Sequence, residues 1–562
     1  MRTFSKITII LFALTLSVNA QEGNPVYAKN GMVVSASTLA SQVGVEILKR
    51  GGNAIDAAVA TGFALAVTYP AAGNIGGGGF MVIHLADGKN TTLDFREMAP
   101  LKAFEKMFLD SLGNFLPQLS QESWLSAGVP GTVAGLIYAL EKYGTMSLKD
   151  VIQPAIELAK NGFYLDYRLT NSINSENETF KKIESSKKIF TKDEEKLTIG
   201  DTFVQSDLAK TLELIRGEGR DAFYEDEIAE KFVLESNKNG GIFTIEDFEN
   251  YRVIERDPII GNYKGYEVIS MPPSSSGGIC LVEALNVLEN YSFKNEEWGS
   301  SRYIHILAEI LKQVYADRSE HMGDAEFYPV PANYLISKEY AEVIKQRITD
   351  NARPSTEYLA AEIPKYKEKE ETTHFSVVDQ LGNAVSTTYT LNGSYGNKIV
   401  VDGLGFLLNN EMDDFSAKPG APNMFGLLGS KANSIQPKKR MLSSMTPTIV
   451  LKDGKPILVV GSPGGSTIIT AVLQVIMNIL EFNMNVFEAV NAPHIHHQLF
   501  PDQIDYEPFC MSEDVKQNLI LRGQKIGTER QLGRIEAIYI DYSKNCFFGT
   551  SDPRGFGKAV GF

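Results

Sequence analysis

Cysteine is scarce in this chain: three in 562 residues, Cys280, Cys510 and Cys546, with no CxxC pair. At most one internal disulfide can form, so the chain is not a disulfide scaffold, and it encodes no redox CxxC or cysteine-rich metal motif. Positive charge is also short. Lys and Arg number 54 against 69 Asp and Glu, for a formal net charge of −15. That balance argues against nucleic acid, whose phosphates need clustered basic groups. No G-x-S-x-G elbow occurs, which removes the conventional serine-hydrolase reading. Gly464-Gly465 is not followed by the lysine of a nucleotide-binding P-loop. Without cross-links, stability has to come from a packed core, which 562 residues at 43% hydrophobic content can supply.

What is present starts with an apparent leader. Arg2 and Lys6 precede an apolar run at 7–18, and Val18-Asn19-Ala20 closes it with a small residue. This pattern predicts a secretory signal peptide cut after Ala20. The run is shorter than the roughly 20 residues a bilayer span needs, and no cysteine follows to carry a lipid. The expectation is an exported chain, periplasmic or secreted, with no membrane span in its mature form. Losing Arg2 and Lys6 takes the formal charge from −15 to −17.

Length alone suggests three or four domains, yet no linker and no repeat divides the chain. A buried helix is expected over 52–67, ended by Tyr69-Pro70. The glycine run 76–79 leads to a strand at 80–85, a turn at Asp87-Gly88 and a second strand at 91–95. Residues 100–350 read as mainly helical, with a strand pair near 266–270. The last third is strand-rich: 375–378 and 384–390 flank a turn, 446–451 and 457–460 flank Asp453-Gly454, and a buried helix follows at 466–480. Strands in both halves with helices between them predict an α+β fold of two stacked sheets covered by helices.

Thr372 stands at a junction. Before it runs a charged, loop-like stretch (364–371, PKYKEKEE); after it a buried strand begins. A cut between Glu371 and Thr372 would create an N-terminal threonine carrying nucleophile and base together, the hydroxyl to attack and the α-amine to take its proton. The amine's reference pKa of roughly 7.7–8.0 suits that task. From spacing alone Thr372 reads as an ordinary strand-edge residue.

The wider pattern resolves this ambiguity in one direction. NIGGGGFM (74–81), DFREMAP (94–100), TTH (372–374), NNEMDDF (409–415), LSSM (442–445) and GSPGGS (461–466) occur in that order. Together they resemble the γ-glutamyltransferases (glutathione hydrolases) among the N-terminal nucleophile hydrolases, over nearly the whole mature chain. The resemblance implies a four-layer αββα sandwich. It also implies a precursor cut into a large subunit, 21–371, and a small catalytic subunit, 372–562, which stay together as a heterodimer sharing one core. The implied reaction passes the glutamyl group of glutathione and related compounds, through a γ-glutamyl-threonine ester, to water or to an amino acid or peptide. No cofactor and no metal is implied.

The resemblance also assigns residues. Thr372 is the nucleophile, and Thr390 on the neighbouring strand holds and tunes it. Gly464 and Gly465 form the oxyanion hole; by themselves they read equally as a tight strand–helix turn. Arg96 suits a substrate carboxylate because its planar fork binds bidentately, and Ser443 and Ser444 add donors. Asp414 pairs with the substrate ammonium, assisted by Glu411 and the amide of Asn392; an acid at position 411 adds negative charge there, where the family has Glu or Gln. The Pro/Gly loop 418–426, with Phe425 at its tip, resembles a lid over the glutamyl pocket. Met441 departs from the family's usual proline, which relaxes the backbone ahead of the two serines. The glycines at 76–79 read as a structural close approach. His374 reads as a satisfied core residue, and His494, His496 and His497 as structural, since adjacent histidines on one segment seldom converge on a metal. Two other readings compete: an acylase for glutaryl-type side chains or poly-γ-glutamate, which need not meet an ammonium, and an unprocessed binding protein of the same fold.

Overall fold

The computed structural model describes residues 24–192, 195–359, 372–418 and 420–562. The leader, the charged run with Glu371, and Pro419 of the Pro/Gly loop lie outside the described residues.

Two seven-stranded sheets dominate, and every strand pair within them is antiparallel. One sheet runs, in spatial order, Lys558–Gly561, Gly31–Ser35, Thr373–Asp379, Ala384–Thr390, Gly78–His84, Asn90–Phe95 and Ile254–Arg256. The other runs Val26–Ala28, Cys546–Ser551, Glu536–Asp541, Lys455–Gly461, Thr448–Lys452, Tyr266–Ser270 and Ile259–Tyr263. Each sheet therefore draws strands from both sides of Thr372. The expected hairpins at 375–390 and 446–460 are both found.

The central strands are buried on both faces, so their sequences are near-continuous apolar or hydroxyl runs rather than alternating ones. Met32, Val34, Val82 and Val378 from the first sheet form one cluster with Ile269, Ile449, Val459 and Ile538 from the second. The other face of the first sheet packs under helices that include Ala54–Thr68 and Leu148–Asn161. The other face of the second packs under Gly277–Leu288, Ser301–His321 and Thr467–Leu480.

The helix Ala54–Thr68 shows how sequence produces this packing. All fifteen of its residues are buried, which is why it lacks a polar stripe. It starts two residues later than the sequence suggested because Asn53, not Gly52, caps it. The Asn53 side chain accepts from Ile55 N and Asp56 N, and Asp56 accepts from Asn53 N at 2.7 Å, a capping box. Asp379, the last residue of strand Thr373–Asp379, accepts from Ala54 N at 2.9 Å and from Asn383 N at 3.0 Å. The hairpin turn is thereby tied to the helix start. The three cysteines are free and buried, and no helix among the described residues is long and apolar enough to cross a membrane.

The glycine run has the structural role expected of it. Gly77 N donates to Asn74 Oδ1 at 2.9 Å, and Asn74 Nδ2 donates to Thr390 O at 2.9 Å. A Cβ on Gly77 would sit 2.0 Å from Thr390 O, so the glycine is needed to bring the two strand ends together. Gly77→Ala should destabilise the fold by about 1–3 kcal/mol, the usual cost of overpacking, seen as a lower denaturation midpoint with an unchanged denaturant slope.

Candidate active site

The register Thr373 with Tyr389 sets the residue before strand Thr373–Asp379 opposite the last residue of strand Ala384–Thr390. Thr372 and Thr390 thus line one small cavity, together with Arg96, Arg318, Asn392, Asp414, Phe425, Ser443, Ser444 and Gly465. Thr372 is 4% exposed. Thr390 Oγ1 accepts from Asn392 N at 2.8 Å, which folds the chain over at the strand end and places Asn392 at φ +77°. The Asn392 amide donates to Asn410 O at 3.0 Å.

Arg96 follows strand Asn90–Phe95 and is 1% exposed. Three carboxyl groups surround it. Its Nη2 lies 2.5 Å from Asp414, and its Nη1 lies 2.7 Å from Glu411 and 3.5 Å from Glu97. The Glu411 contact is an ion pair by distance, although neither oxygen of Glu411 receives an aligned hydrogen bond among the described residues. Burial works against the Arg96 charge, but Glu411, Glu97 and Asp414 outweigh it and raise the guanidinium pKa further. Burial likewise pushes Glu411 well above the usual carboxylate range; Arg96 pulls it down, and Glu97 and Asp414 push it up again. Glu97 is pushed up to about 7, mainly by burial. Burial raises the Asp414 carboxyl as well, against the pull of Arg96 and Arg318; of the three acids around Arg96, Asp414 lines the cavity.

Asp414 is also tied to the Pro/Gly loop. Asn423 Nδ2 donates to Asp414 Oδ1 at 2.9 Å, and Asn423 Oδ1 accepts from Phe425 N and Leu427 N, each at 3.0 Å. Met424 N donates to Asp413 at 2.8 Å. Phe425 is 4% exposed and its carbonyl accepts from Gln498 at 3.1 Å.

Gly464 and Gly465 connect strand Lys455–Gly461 to helix Thr467–Leu480, with φ of +133° and +51°. These left-handed values suit glycine, and a Cβ on Gly465 would come within 2.5 Å of the Phe425 ring. Their carbonyls accept from Thr467 N and Ile468 N. Their own N–H groups meet no acceptor among the described residues.

Ser443 and Ser444 are buried on a pinned loop. Ser443 N donates to Ser274 O at 3.0 Å, and Ser443 O accepts from Ser276 N at 2.9 Å and Ser276 Oγ at 2.7 Å. Just upstream, Arg440 reaches Asp94 at 2.6 Å, and Arg256 reaches the same carboxylate at 2.9 Å. Met441 is fully buried beside Ala99, Phe108 and Met412, and its carbonyl accepts from Arg96 Nε at 3.4 Å. The missing proline therefore does not loosen this loop: the Asp94 ion pairs and the apolar seat of Met441 restrain it instead.

The histidines outside the cavity are engaged separately. His374 Nδ1 and Nε2 meet Thr388 Oγ1 and Ser376 Oγ at 2.8 and 3.1 Å, and burial pushes its pKa down to about 3, so it is a neutral core residue. His494 faces Glu507 at 3.1 Å, His496 faces Thr470 and Gln498 at 3.0 and 2.9 Å, and His497 faces Asp502 at 3.6 Å.

Sequence reasoning missed Arg318 and Asn423. Asn423 sits in a loop whose contacts only folding reveals. Arg318 did leave a signal: Leu311, Val314, Tyr315 and Arg318 follow the i, i+3, i+4, i+7 pattern of a buried helix face, so a charged group there had to point into the interior.

Comparison with known proteins agrees with this architecture. A family model described as gamma-glutamyltranspeptidase matches residues 40–562. A "Glutathione hydrolase proenzyme" from Escherichia coli strain K12 is 51% identical over 533 residues, covering 94% of this chain and 91% of that one. Among solved structures, a cephalosporin acylase from Bacillus halodurans superposes with a TM-score of 0.85 at 27% identity, covering 98% of this chain and 99% of that one. A gamma-glutamyltranspeptidase from Helicobacter pylori superposes with a TM-score of 0.56 at 53% identity, covering 57% of this chain and 92% of that one. The chain belongs to the gamma-glutamyltranspeptidase family.

Asp94 anchors the serine loop. Burial alone would raise its carboxyl, but Arg440 and Arg256 outweigh burial and hold it below the ordinary range. Because its folded pKa lies below the unfolded value of about 3.9, the stabilisation is present above that pH and disappears as acid titrates the folded group. Asp94→Asn should cost about 3–5 kcal/mol near neutrality, as for a broken buried pair. In denaturant melts the gap between wild type and variant should narrow below about pH 4.

Proposed function

We propose the following course for a self-processing γ-glutamyltransferase that cleaves glutathione and related γ-glutamyl amides. The observation that carries it is the shared cavity: Thr372 at the head of its strand, with Arg96, Thr390, Asn392, Asp414, Ser443, Ser444 and Gly465 around it. In the precursor the Thr372 hydroxyl attacks the Glu371 carbonyl. The peptide C–N bond breaks as the ester C–O bond forms, the proton passes to the freed amine, and water hydrolyses the ester. The mature chain then consists of 21–371 and 372–562, a heterodimer whose two pieces share the layers of a four-layer αββα sandwich of the N-terminal nucleophile type. The preceding 1–20 is the export leader, which places the enzyme in the periplasm or outside the cell.

In turnover the Thr372 α-amine takes the hydroxyl proton and Oγ1 adds to the γ-carbonyl. The Gly464 and Gly465 N–H groups stabilise the oxyanion. The leaving amine departs with the proton, and a γ-glutamyl ester remains until water or an acceptor amine attacks it. Thr390 holds the nucleophile. Asp414 takes the α-ammonium with Asn392 and Glu411, and Arg96, Ser443 and Ser444 take the α-carboxylate. Phe425 closes the pocket over Gly465.

The resemblance to a cephalosporin acylase keeps a glutaryl-type acyl donor as a second reading. A glutaryl group has no ammonium, and the combination of Asp414 with Asn392 favours the glutamyl substrate. Intact mass and N-terminal sequencing of stored protein should show two pieces, the smaller starting at Thr372. Thr372→Ala should stay at full length and show only background hydrolysis of γ-glutamyl anilide. A Thr372→Ala chain that still divides at this position, or still turns over, would sink the assignment.

A further inference from the structure

Met424 stands in the Pro/Gly loop just before Phe425, and its sulfur takes two amide donors. Asn392 Nδ2 lies 3.4 Å from Sδ and Asn410 Nδ2 lies 3.9 Å from it. Each amide nitrogen carries two hydrogens. Asn392 gives one to Asn410 O and Asn410 gives one to Gln121 O, which leaves one apiece for the sulfur. The methionine methyl rests on Gly393, where a Cβ would come within 3.1 Å of it. Of the fourteen described methionines eleven are buried, and Met146, Met424 and Met484 are partly exposed. Met146 and Met484 edge the two large apolar clusters. Among the described residues, only the sulfur of Met424 accepts from an amide.

A thioether is a weak acceptor, so this is the loosest tie of the loop. The others are the bonds of Asn423 to Asp414, of Met424 N to Asp413 and of Gln498 to Phe425 O. Thr372 and Phe425 are both buried, so the loop has to move before an acyl donor with its leaving group reaches Thr372.

Hydrogen peroxide would change the loose tie. The sulfur lone pair attacks one peroxide oxygen, and the S–O bond forms as the O–O bond breaks. The departing hydroxide takes the proton of the transferred hydroxyl and leaves as water. Sulfur loses two electrons and the peroxide gains them. The product is a polar sulfoxide on a side chain that was apolar, with two amide donors already beside it. The three cysteines are poor competitors for the oxidant: all are buried, and burial raises each thiol pKa, so little thiolate is present.

We propose that Met424 is a modification site for hydrogen peroxide, and that its sulfoxide ties the Pro/Gly loop to Asn392 and Asn410 and slows entry to the cavity holding Thr372. The effect on turnover rests on the γ-glutamyl reading above; the modification and the tie do not.

The test treats full, self-processed wild type and Met424→Leu with hydrogen peroxide, and peptide mass spectrometry locates the added oxygen. Leucine keeps nearly the same volume and offers no sulfur. In wild type Met424 should gain oxygen no later than Met146 and Met484, and ahead of the buried methionines. Hydrogen exchange over residues 420–428 should then slow about tenfold, the scale of a weak acceptor replaced by a strong one. The kcat/KM for γ-glutamyl p-nitroanilide should fall by a similar factor, and methionine sulfoxide reductases should restore both. Met424→Leu should show neither change, although its Met146 and Met484 still oxidise. The proposal is overturned if Met424 stays reduced while those two oxidise, or if exchange in the loop is unchanged or faster after oxidation. It is equally overturned if oxidised wild type keeps its full turnover, or if peroxide inactivates Met424→Leu as it does wild type. Exchange needs no turnover. Slowed exchange in a protein that never cleaves the anilide would therefore fail the γ-glutamyl reading and leave the sulfoxide tie standing.

Discussion

The pairing of strand Thr373–Asp379 with strand Ala384–Thr390 is the constraint on which the site depends. Its register sets Thr372 opposite Thr390, and the same two strands are flanked by Gly31–Ser35 and Gly78–His84 in the middle of a seven-stranded sheet. A slip of one residue would turn every side chain to the opposite face. The sheet's burial on both faces and the Asp379 bond to the helix start at Ala54 oppose such a slip. The place of Thr372 is thus fixed by the sheet's register, while the groups around it arrive on loops: Arg96 after a strand end, Asp414 in a short 3₁₀ turn, the serines on a loop pinned by Asp94, and the glycines before a helix.

Electrostatics gives those loops their second level of order. Buried charges must be paired or neutralised, and this molecule does both. Asp94 holds Arg440 and Arg256, so one buried carboxylate joins the edge strand Ile254–Arg256 to the serine loop. Around Arg96 the acids outnumber the cation. Burial and mutual repulsion push Glu411 and Glu97 above the usual carboxylate range, while Asp414 contacts both Arg96 and the Pro/Gly loop through Asn423.

Much of this was legible in the sequence, for identifiable reasons. The hairpins at 375–390 and 446–460 showed themselves because turn residues separate β-branched runs, and the buried helix expected over 52–67 because Tyr69-Pro70 ends an apolar stretch. The ordered motifs named the residues that the fold gathers into one cavity. What stayed hidden depends on tertiary packing. The consequence of replacing proline with Met441 could not be judged without the apolar seat that receives it. The upward shift of Glu411 comes from burial, to which Glu97, far away in sequence, and Asp414 add. Arg318, more than fifty residues upstream of Thr372, is marked only by its position on a buried helix face.

Each sheet interleaves strands from both sides of Thr372, and this bears on how the protein fails as well as how it works. In the proposed precursor both halves belong to one polypeptide, and folding is a unimolecular process. After the proposed cut before Thr372, the same contacts join two polypeptides, and the unfolded state gains the translational freedom of a second molecule. Melting then becomes concentration-dependent by mass action. Neither piece alone holds a complete sheet, so separated halves expose unpaired strand edges of the kind that aggregate. For such a molecule, lifetime is governed by the height of the unfolding barrier rather than by an equilibrium that can be re-entered.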